Sequence, residues 1–140
     1  MSSNTGLRAE QHPAFPDVEM MVQKYKTQGG PLLQTFCDLN YAASWRDLQV
    51  LDIVHDQDAD LNQFGANGWA IILGRAPHHE AIQAVLPMSV EQSFDSATFS
   101  EIFKKLPEDV DASHILLAMM SNDSTVVYYK LSKGLVKPVN

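Results

Sequence analysis

Two apolar runs separated by a short polar turn occupy residues 114–131, near the C-terminal end of the chain. The runs read HILLAMM and TVVYYKL, and SNDS stands between them. Such a pattern predicts two antiparallel strands joined as a hairpin. Because the first run is apolar at nearly every position, we expect its strand to lie inside a β-sheet.

The second strand of this hairpin has two apolar sides. Side chains alternate along a strand, so that one side carries Val127, Tyr129 and Leu131, whereas the other carries Val126, Tyr128 and Lys130. Neither side is polar enough to face open water. A last strand of this kind, with only a short tail after it, would be an aggregation hazard at a sheet edge unless a partner covered it. The hairpin therefore predicts an interface with another molecule.

The charge of the chain limits what it can bind on its own. Seventeen acidic and ten basic residues give a net charge of −7, and affinity for nucleic acid comes mostly from Lys and Arg on phosphates. We therefore do not expect the chain by itself to bind RNA through electrostatic attraction. The single cysteine, Cys37, stands among apolar residues, which predicts a core position in a protein of a reducing compartment.

Length and patterning predict one domain. A chain of 140 residues can bury a sufficient core without a disulfide or a metal. We expect residues 12–138 to form this domain after a disordered tail at residues 1–11. The N-terminus lacks the pattern of a signal peptide, and no apolar run approaches the roughly 18 residues of a membrane span. A soluble intracellular protein without membrane insertion is therefore expected.

The spacing of apolar residues predicts the elements before the hairpin. We expect a first helix capped by Asp17 and stopped by Gly29 and Gly30, and a second helix that Pro31 opens and Trp45 closes. The remaining predicted elements are strands at 48–53, 68–74 and 81–90, with the last two paired, and a helix at 95–106. This order predicts an α/β fold in which a mixed β-sheet is flanked by helices.

Three alternating aspartates, Asp56, Asp58 and Asp60, suggest a calcium site. An EF-hand loop that began at Asp56 would need glycine at the position of Leu61 and a bidentate glutamate at the position of Asn67. Both requirements fail, so that the segment is expected to be an exposed acidic loop. We predict no metal site and no cofactor.

The stretch LLAMMSNDSTVVYYKLSKG resembles the C-terminal strand, loop and strand of the tRNA-splicing endonuclease subunits. Within that family it is most similar to the smallest, non-catalytic subunits of the eukaryotic enzyme. Weaker similarity extends from about residue 12 to residue 138 and includes His12 with Pro13, Ser44 with Trp45, and the VLP of residues 85–87. The resemblance implies the fold of the family's catalytic domain, ending in a C-terminal β-hairpin.

Catalytic subunits of this family cleave RNA by transesterification with a tyrosine, a histidine and a lysine. The histidine acts as general base and the lysine steadies charge on the phosphate. The resemblance implies that the tyrosine would come from the strand at 69–73, which contains none. It implies that the lysine would stand immediately before the hairpin, where the chain has Ala112, Ser113 and His114. Two of the three groups are therefore missing.

Histidine is the one member of this set for which the chain offers candidates. His78 or His79 falls near the position of the family's general base, and His114 stands at the entrance to the hairpin. Because general acid–base chemistry needs several groups that converge on one atom, we expect surface or structural roles for these histidines. No catalytic residue is predicted, and the chain is not expected to be an enzyme.

The hairpin, in contrast, retains the two features through which subunits of the family assemble, a last strand and a docking loop. The last strands of two subunits pair to form a dimer, which implies a partner-binding strand of Thr125, Val126, Val127, Tyr128, Tyr129, Lys130 and Leu131. The turn corresponds to the family's docking loop, which inserts into a cleft of another dimer and here consists of Ser121, Asn122, Asp123 and Ser124. This loop is typically acidic in the family, and its acidity is reduced here to Asp123.

The predicted function is that of a non-catalytic structural subunit of the tRNA-splicing endonuclease. The resemblance implies a heterotetramer in which the partner is the catalytic subunit that cleaves the 3′ splice site, with pre-tRNA contacted only indirectly. It also implies a location in the nucleus or on the cytosolic face of the mitochondrial outer membrane. A homodimeric interaction module and a self-sufficient ribonuclease of the same fold are the alternatives. We expect Tyr128→Asp to abolish partner binding and to leave the isolated fold largely intact.

Overall fold

The computed structural model of the chain describes residues 11–54, 68–92, 96–132 and 135–138. The helices in these ranges are α1 at Phe15–Lys24, α2 at Gly29–Cys37 and α3 at Ser96–Lys105. The strands are β1 at Arg46–Val54, β2 at Gly68–Arg75, β3 at Gln83–Ser89, β4 at His114–Met120, β5 at Val126–Ser132 and β6 at Leu135–Pro138. The predicted order of elements through the hairpin is confirmed, and β6 is an addition to it.

The six strands form one sheet in chain order, from β1 at one edge to β6 at the other. Neighbouring strands are antiparallel except for β3 and β4, which run parallel. Parallel neighbours need a crossover connection, and α3 lies within it. The predicted pairing of β2 with β3 is confirmed in the register Ile72↔Val85. The sheet is therefore mixed, as predicted.

Helices cover both faces of the sheet. On one face, called the α2 face here, α1 and α2 bury Leu48, Ala70, Ile72, Val85 and Ala118. On the opposite face, called the α3 face, α3 buries Ile71, Leu73, Leu86, Ile115 and Leu117. Alternate residues of β2 thus enter different cores, because side chains alternate along a strand. The predicted α/β class with flanking helices is confirmed.

The boundaries of α1 and α2 differ from the prediction. Pro16 lies in the first turn of α1, where its fixed φ suits the helix, and Asp17 follows it inside that turn instead of capping the helix. Gly29 and Gly30 begin α2 and do not end α1. A Cβ at Gly29 would lie 3.1 Å from a methyl group of Val22. The glycine therefore allows the two helices to approach closely.

Gln28 is a buried polar residue that joins β2 to β3. Its amide nitrogen donates to the carbonyl oxygens of Ala70 at 2.7 Å and Pro87 at 3.0 Å, and its amide oxygen accepts the Ala70 N–H at 2.9 Å. The ladder between the two strands extends only from Ile72 to Gly74 along β2, and Pro87 has no N–H that could prolong it. The glutamine therefore connects the strands where their own hydrogen bonds end.

A π-helical turn, Asp38–Ala42, follows α2 and leads into β1. The N–H of Trp45 donates to the carbonyl of Leu39 at 2.9 Å, and Trp45 packs against the core of the α2 face, as predicted for the residue that closes this helix. Cys37 is half-buried and packs against the same core. The wide turn brings the carboxylate of Asp38 to the part of the sheet that contains β5.

Candidate interaction surface

The side chains of β5 enter both layers, as their alternation predicted. Val126 and Tyr128 pack against the core of the α2 face, and Tyr129 packs against the core of the α3 face. Leu131 is buried. Val127 is different, because 47% of it is exposed. On the α3 face, the covering layer therefore stops at the start of β5.

The exposure of Val127 belongs to a graded row across the α3 face. The strand registers place Met88 beside Met119 and Met119 beside Val127. Met88 is fully buried, Met119 is half-buried and Val127 is exposed. The core of the α3 face thus continues to the surface as apolar side chains, and contiguous apolar surface of this kind often marks an interaction site.

Tyr128 is bound within the chain. Its hydroxyl donates to the carboxylate of Asp38 at 2.6 Å. Burial of the ring, together with the bond to Asp38, raises the pKa of Tyr128, so that the phenol stays protonated. Aspartate at this position would place a second carboxylate beside Asp38 and against an apolar core. The contacts of Tyr128 thus lead us to expect that Tyr128→Asp destabilises the fold, and Val127 is the exposed position for such a test.

The outer edge of β5 is only partly open. β6 pairs with residues 129–132 in the register Lys130↔Lys137, whereas residues 126–128 have no strand partner on that side within the described part of the chain. The expectation that β5 is the last strand is therefore wrong. Four residues that include Lys137 and Pro138 carry little strand signal of their own, which is why the sequence pattern missed β6.

Hydrogen bonding in the hairpin decides which backbone groups face outward. The N–H of Ser121 donates to the carbonyl of Thr125 at 2.9 Å, and hydrogen-bonded pairs recur at every second residue of an antiparallel ladder. The N–H and C=O groups of Val126 and Tyr128 consequently face the open edge. Those of Lys130 face β6. We call the outer side of residues 126–128 the open edge.

The predicted docking loop is a three-residue hairpin turn closed by its own groups. The N–H of Ser124 donates to the carbonyl of Ser121 at 2.9 Å, and Ser124 has φ of 68°, the left-handed conformation that this turn requires. The carboxylate of Asp123 accepts the Ser121 hydroxyl at 2.5 Å and the Thr125 N–H at 3.1 Å. These bonds lower the pKa of Asp123 to about 2. The exposed loop is therefore preformed and keeps one negative charge at neutral pH.

β2, the strand from which the resemblance implied a catalytic tyrosine, contains no tyrosine. Tyr25 is buried in α1's C-cap and donates its hydroxyl to Asp52, whose carboxylate also pairs with Lys24 at 2.5 Å. Burial and the bond to Asp52 raise the pKa of Tyr25. This hydrogen bond joins the end of α1 to β1.

Two arginines hold the loop that contains His78 and His79. Arg46 and Arg75 face each other across β1 and β2. Arg46 donates to the carbonyl of His79 at 2.6 Å, and Arg75 donates to the carbonyl of Glu80 at 2.8 Å. Both histidines are exposed, as predicted, and His78 has φ of 67°. The sequence pattern did not predict these two arginine contacts, because they depend on the register between β1 and β2.

His114 begins β4 and is 9% exposed. Its Nδ1 lies 3.1 Å from the hydroxyl of Ser113. Burial and the nearby Lys130 lower the pKa of His114, while Asp111 acts in the opposite direction. His114 is thus a buried, hydrogen-bonded histidine, which is the structural role predicted for it.

The described residues contain no group of three or more His, Cys, Asp or Glu side chains that could hold a metal ion. Asp56, Asp58 and Asp60 lie outside the described residues, and the acidic loop predicted there stays a prediction. Within the described ranges, no helix has both the length and the apolar character that crossing a bilayer requires.

The family follows from comparison with known proteins. A family model described as Sen15 protein matches residues 34–140, which is more than half of the chain and includes all six strands. The chain belongs to the Sen15 family. The matched region of this Sen15 family member contains β5, the open edge and the turn at residues 121–124.

Three Sen15 proteins are similar to the chain over most of its length. The probable tRNA-splicing endonuclease subunit sen15 of Schizosaccharomyces pombe is 29% identical over 145 residues, which cover 91% of this chain and 95% of that protein. The tRNA-splicing endonuclease subunits Sen15 of Mus musculus and Homo sapiens are 27% and 26% identical over 131 residues, and the matches cover 91% of this chain and 71% and 70% of those proteins. The resemblance predicted from the hairpin is confirmed.

Proposed function

We propose that this chain is a non-catalytic structural subunit of the tRNA-splicing endonuclease. It pairs through β5 with the catalytic subunit that cleaves the 3′ splice site of pre-tRNA, within a heterotetramer. One observation carries the proposal: the open edge of β5 lies beside the exposed Val127, in a member of the Sen15 family. The names of the three relatives, all tRNA-splicing endonuclease subunits, support the choice of enzyme.

The absence of a cutting role is supported by what stands at the expected positions. β2 has no tyrosine, and the hydroxyls of Tyr25 and Tyr128 are held by carboxylates. The residues before β4 are alanine and serine, where a catalytic subunit would carry its lysine. The purified chain alone is expected to leave intron-containing pre-tRNA intact. Cleavage by the chain alone would favour the self-sufficient ribonuclease instead.

The energetics favour pairing at this edge. Complete burial of a large apolar side chain contributes roughly 1.5–3 kcal/mol, and Val127 and the half-buried Met119 each have part of that gain available. Each ladder hydrogen bond at Val126 and Tyr128 adds about 1 kcal/mol net. These terms oppose the entropic cost of association, so that further contacts around the edge must contribute to a stable dimer.

Co-expression with the catalytic subunits of the same enzyme tests the proposal. Val127→Glu places a charge on the apolar row beside the open edge and is expected to reduce co-purification of the catalytic subunit at least tenfold. Val54→Glu is the matched control, because Val54 is 54% exposed but ends β1, at the opposite edge of the sheet. The control is expected to bind as the wild type does.

Both variants should first be shown to keep the wild-type circular dichroism spectrum and unfolding midpoint. If Val127→Glu then retains the catalytic subunit at wild-type yield, β5 is not the interface. Equal losses for the two variants would point to a general effect of the added charge. Fractionation of cells is expected to find the chain with its catalytic partner, in the nucleus or on the cytosolic face of the mitochondrial outer membrane.

The open edge also supports a homodimer of the isolated chain. A strand edge can pair with a second copy of itself about a two-fold axis without any new surface. Light scattering across a dilution series measures the molar mass of the chain without its partner. If the homodimer uses the same edge, Val127→Glu is expected to be monomeric, and addition of the catalytic subunit is expected to dissociate the wild-type homodimer.

A further inference from the structure

The surface proposed for the partner overlaps with a strand of the chain itself. β6 is paired with residues 129–132 of β5, and three of these residues, Tyr129, Lys130 and Leu131, belong to the predicted partner-binding strand. A partner strand that paired with the whole of β5 would need the edge that β6 occupies. The partner strand and β6 therefore cannot both pair with β5 along its full length. Either the partner uses only the open edge, or β6 leaves.

The open edge alone is a small platform. Alternation of the ladder gives it the backbone groups of Val126 and Tyr128 only, whereas departure of β6 would add those of Lys130 and Ser132. The available hydrogen-bonding groups would then double. Strands in sheets typically pair over about five or six residues, which is more than residues 126–128 provide. A full-length pairing is therefore favoured over a pairing that stops at Tyr128.

β6 is also a strand that can be displaced. It has only four residues, ends at Pro138 and is the edge strand of the sheet. Its register sets residue 137 opposite Lys130, within the predicted partner-binding strand. A short edge strand of this kind falls at the low end of local stability in a folded domain.

We propose that β6 covers the partner's binding edge in the free chain and is displaced by an extended strand of the catalytic subunit on assembly. The inference rests on the proposed function, since it concerns how the same edge is used. It identifies the partner segment by its chemistry: an extended strand with free N–H and C=O groups that adds to a sheet edge. β6 meanwhile limits self-association of the free chain to the open edge at residues 126–128.

A reversible lock on β6 tests the displacement directly. Lys130→Cys and Lys137→Cys are introduced together with Cys37→Ser, so that the only disulfide that can form within one chain joins β5 to β6, and the oxidised monomer is isolated by size exclusion. Opposed residues of a hydrogen-bonded pair have Cα atoms about 5.5 Å apart, a distance that a disulfide spans. The oxidised protein is expected to bind the catalytic subunit at least tenfold more weakly than the same protein after reduction. Equal affinity in the two states would overturn the proposal.

A second pair of variants acts in the opposite direction. The N–H of residue 137 faces β5, because Lys137 is opposite Lys130, and the N–H of residue 136 faces away. Lys137→Pro therefore removes a ladder bond and is expected to bind the catalytic subunit several-fold more tightly, whereas Val136→Pro is the control with little change. Weaker binding by Lys137→Pro than by Val136→Pro would show that β6 is part of the interface, and would overturn displacement.

The same assay separates this proposal from the proposed function. If the wild-type chain and the reduced double-cysteine protein bind no catalytic subunit at all, the proposed function has failed. If both bind and Val127→Glu does not, the interface stands. The oxidised state and the proline pair then decide the role of β6 alone.

Discussion

The hydroxyl of Tyr128 in β5 lies 2.6 Å from the carboxylate of Asp38, which is 90 residues earlier in the chain. The bond ties the strand that carries the open edge to the π-helical turn after α2. Because this hydrogen bond holds β5 against the α2 face, the strand is ordered in the free chain. Less conformational entropy is then lost on binding, which favours association.

Tyr128→Phe is expected to lower the free energy of unfolding by about 1–2 kcal/mol, because it removes a hydrogen bond to a charged acceptor. Urea denaturation measures the change. Tyr129→Phe is the matched control, since the structure shows no hydrogen bond of the Tyr129 hydroxyl within the described residues, and its effect is expected to stay below about 0.5 kcal/mol. Similar losses in both variants would contradict a stabilising role of the bond to Asp38.

Gln28→Leu is expected to lower the free energy of unfolding by about 3 kcal/mol. The substitution leaves the carbonyls of Ala70 and Pro87 and the Ala70 N–H without their partner, and a buried group in that state costs about 1–3 kcal/mol. Gln34→Leu on the exposed side of α2 is the control, and a change below about 0.5 kcal/mol is expected there. A loss at Gln28 no larger than that of the control would mean that β2 and β3 do not depend on the glutamine.

Stability is expected to fall as the solution becomes acidic, and His12 contributes to the fall. Its Nδ1 accepts the Ala14 N–H at 3.0 Å, and its ring packs edge-on against Phe36. Burial lowers the pKa of His12 below its ordinary 6.5. The unfolded chain therefore binds the proton more readily, so that this contribution is present above pH 6.5 and is lost as the pH falls through the folded-state pKa. His114, whose pKa is also lowered, acts in the same direction.

Urea midpoints at about pH 7.5 and about pH 5.5 test this dependence. His12→Asn is the informative variant, because its amide oxygen can accept the Ala14 N–H but does not titrate. The difference between the two midpoints is expected to be smaller in His12→Asn than in the wild type. An unchanged difference would assign the acid sensitivity to other groups.

Asp123 allows the geometry of the predicted docking loop to be separated from its charge. Asp123→Asn keeps an oxygen that can accept the Ser121 and Thr125 hydrogen bonds, whereas Asp123→Ala removes both the acceptor and the charge. If the loop docks through its charge, Asp123→Asn is expected to bind the catalytic subunit normally and to form less heterotetramer at low salt, with the deficit vanishing at high salt. Sedimentation velocity measures the distribution of assemblies. Wild-type assembly by Asp123→Asn at low salt would show that the charge is dispensable.

The sequence alone determined the order of the elements, the hairpin and the two-sided packing of β5. These features depend on local periodicity, which a run such as TVVYYKL displays without reference to the rest of the chain. The missing tyrosine of β2 was equally a local observation. Helix boundaries were predicted less accurately. Gly29 was expected to end α1, but it lies in α2, where the absence of a side chain allows close packing against Val22.

Only the tertiary structure decided how far the edge of β5 is open and which of its side chains are exposed. The pairing with β6, the bond between Tyr128 and Asp38, and the bridge from Gln28 to β3 each join segments whose relative position no local pattern encodes. A polar side chain in sequence carries no record of the distant backbone group that will satisfy it. Strand register and the packing of the layers determine its partner, because buried donors and acceptors form hydrogen bonds with the groups that the fold places next to them.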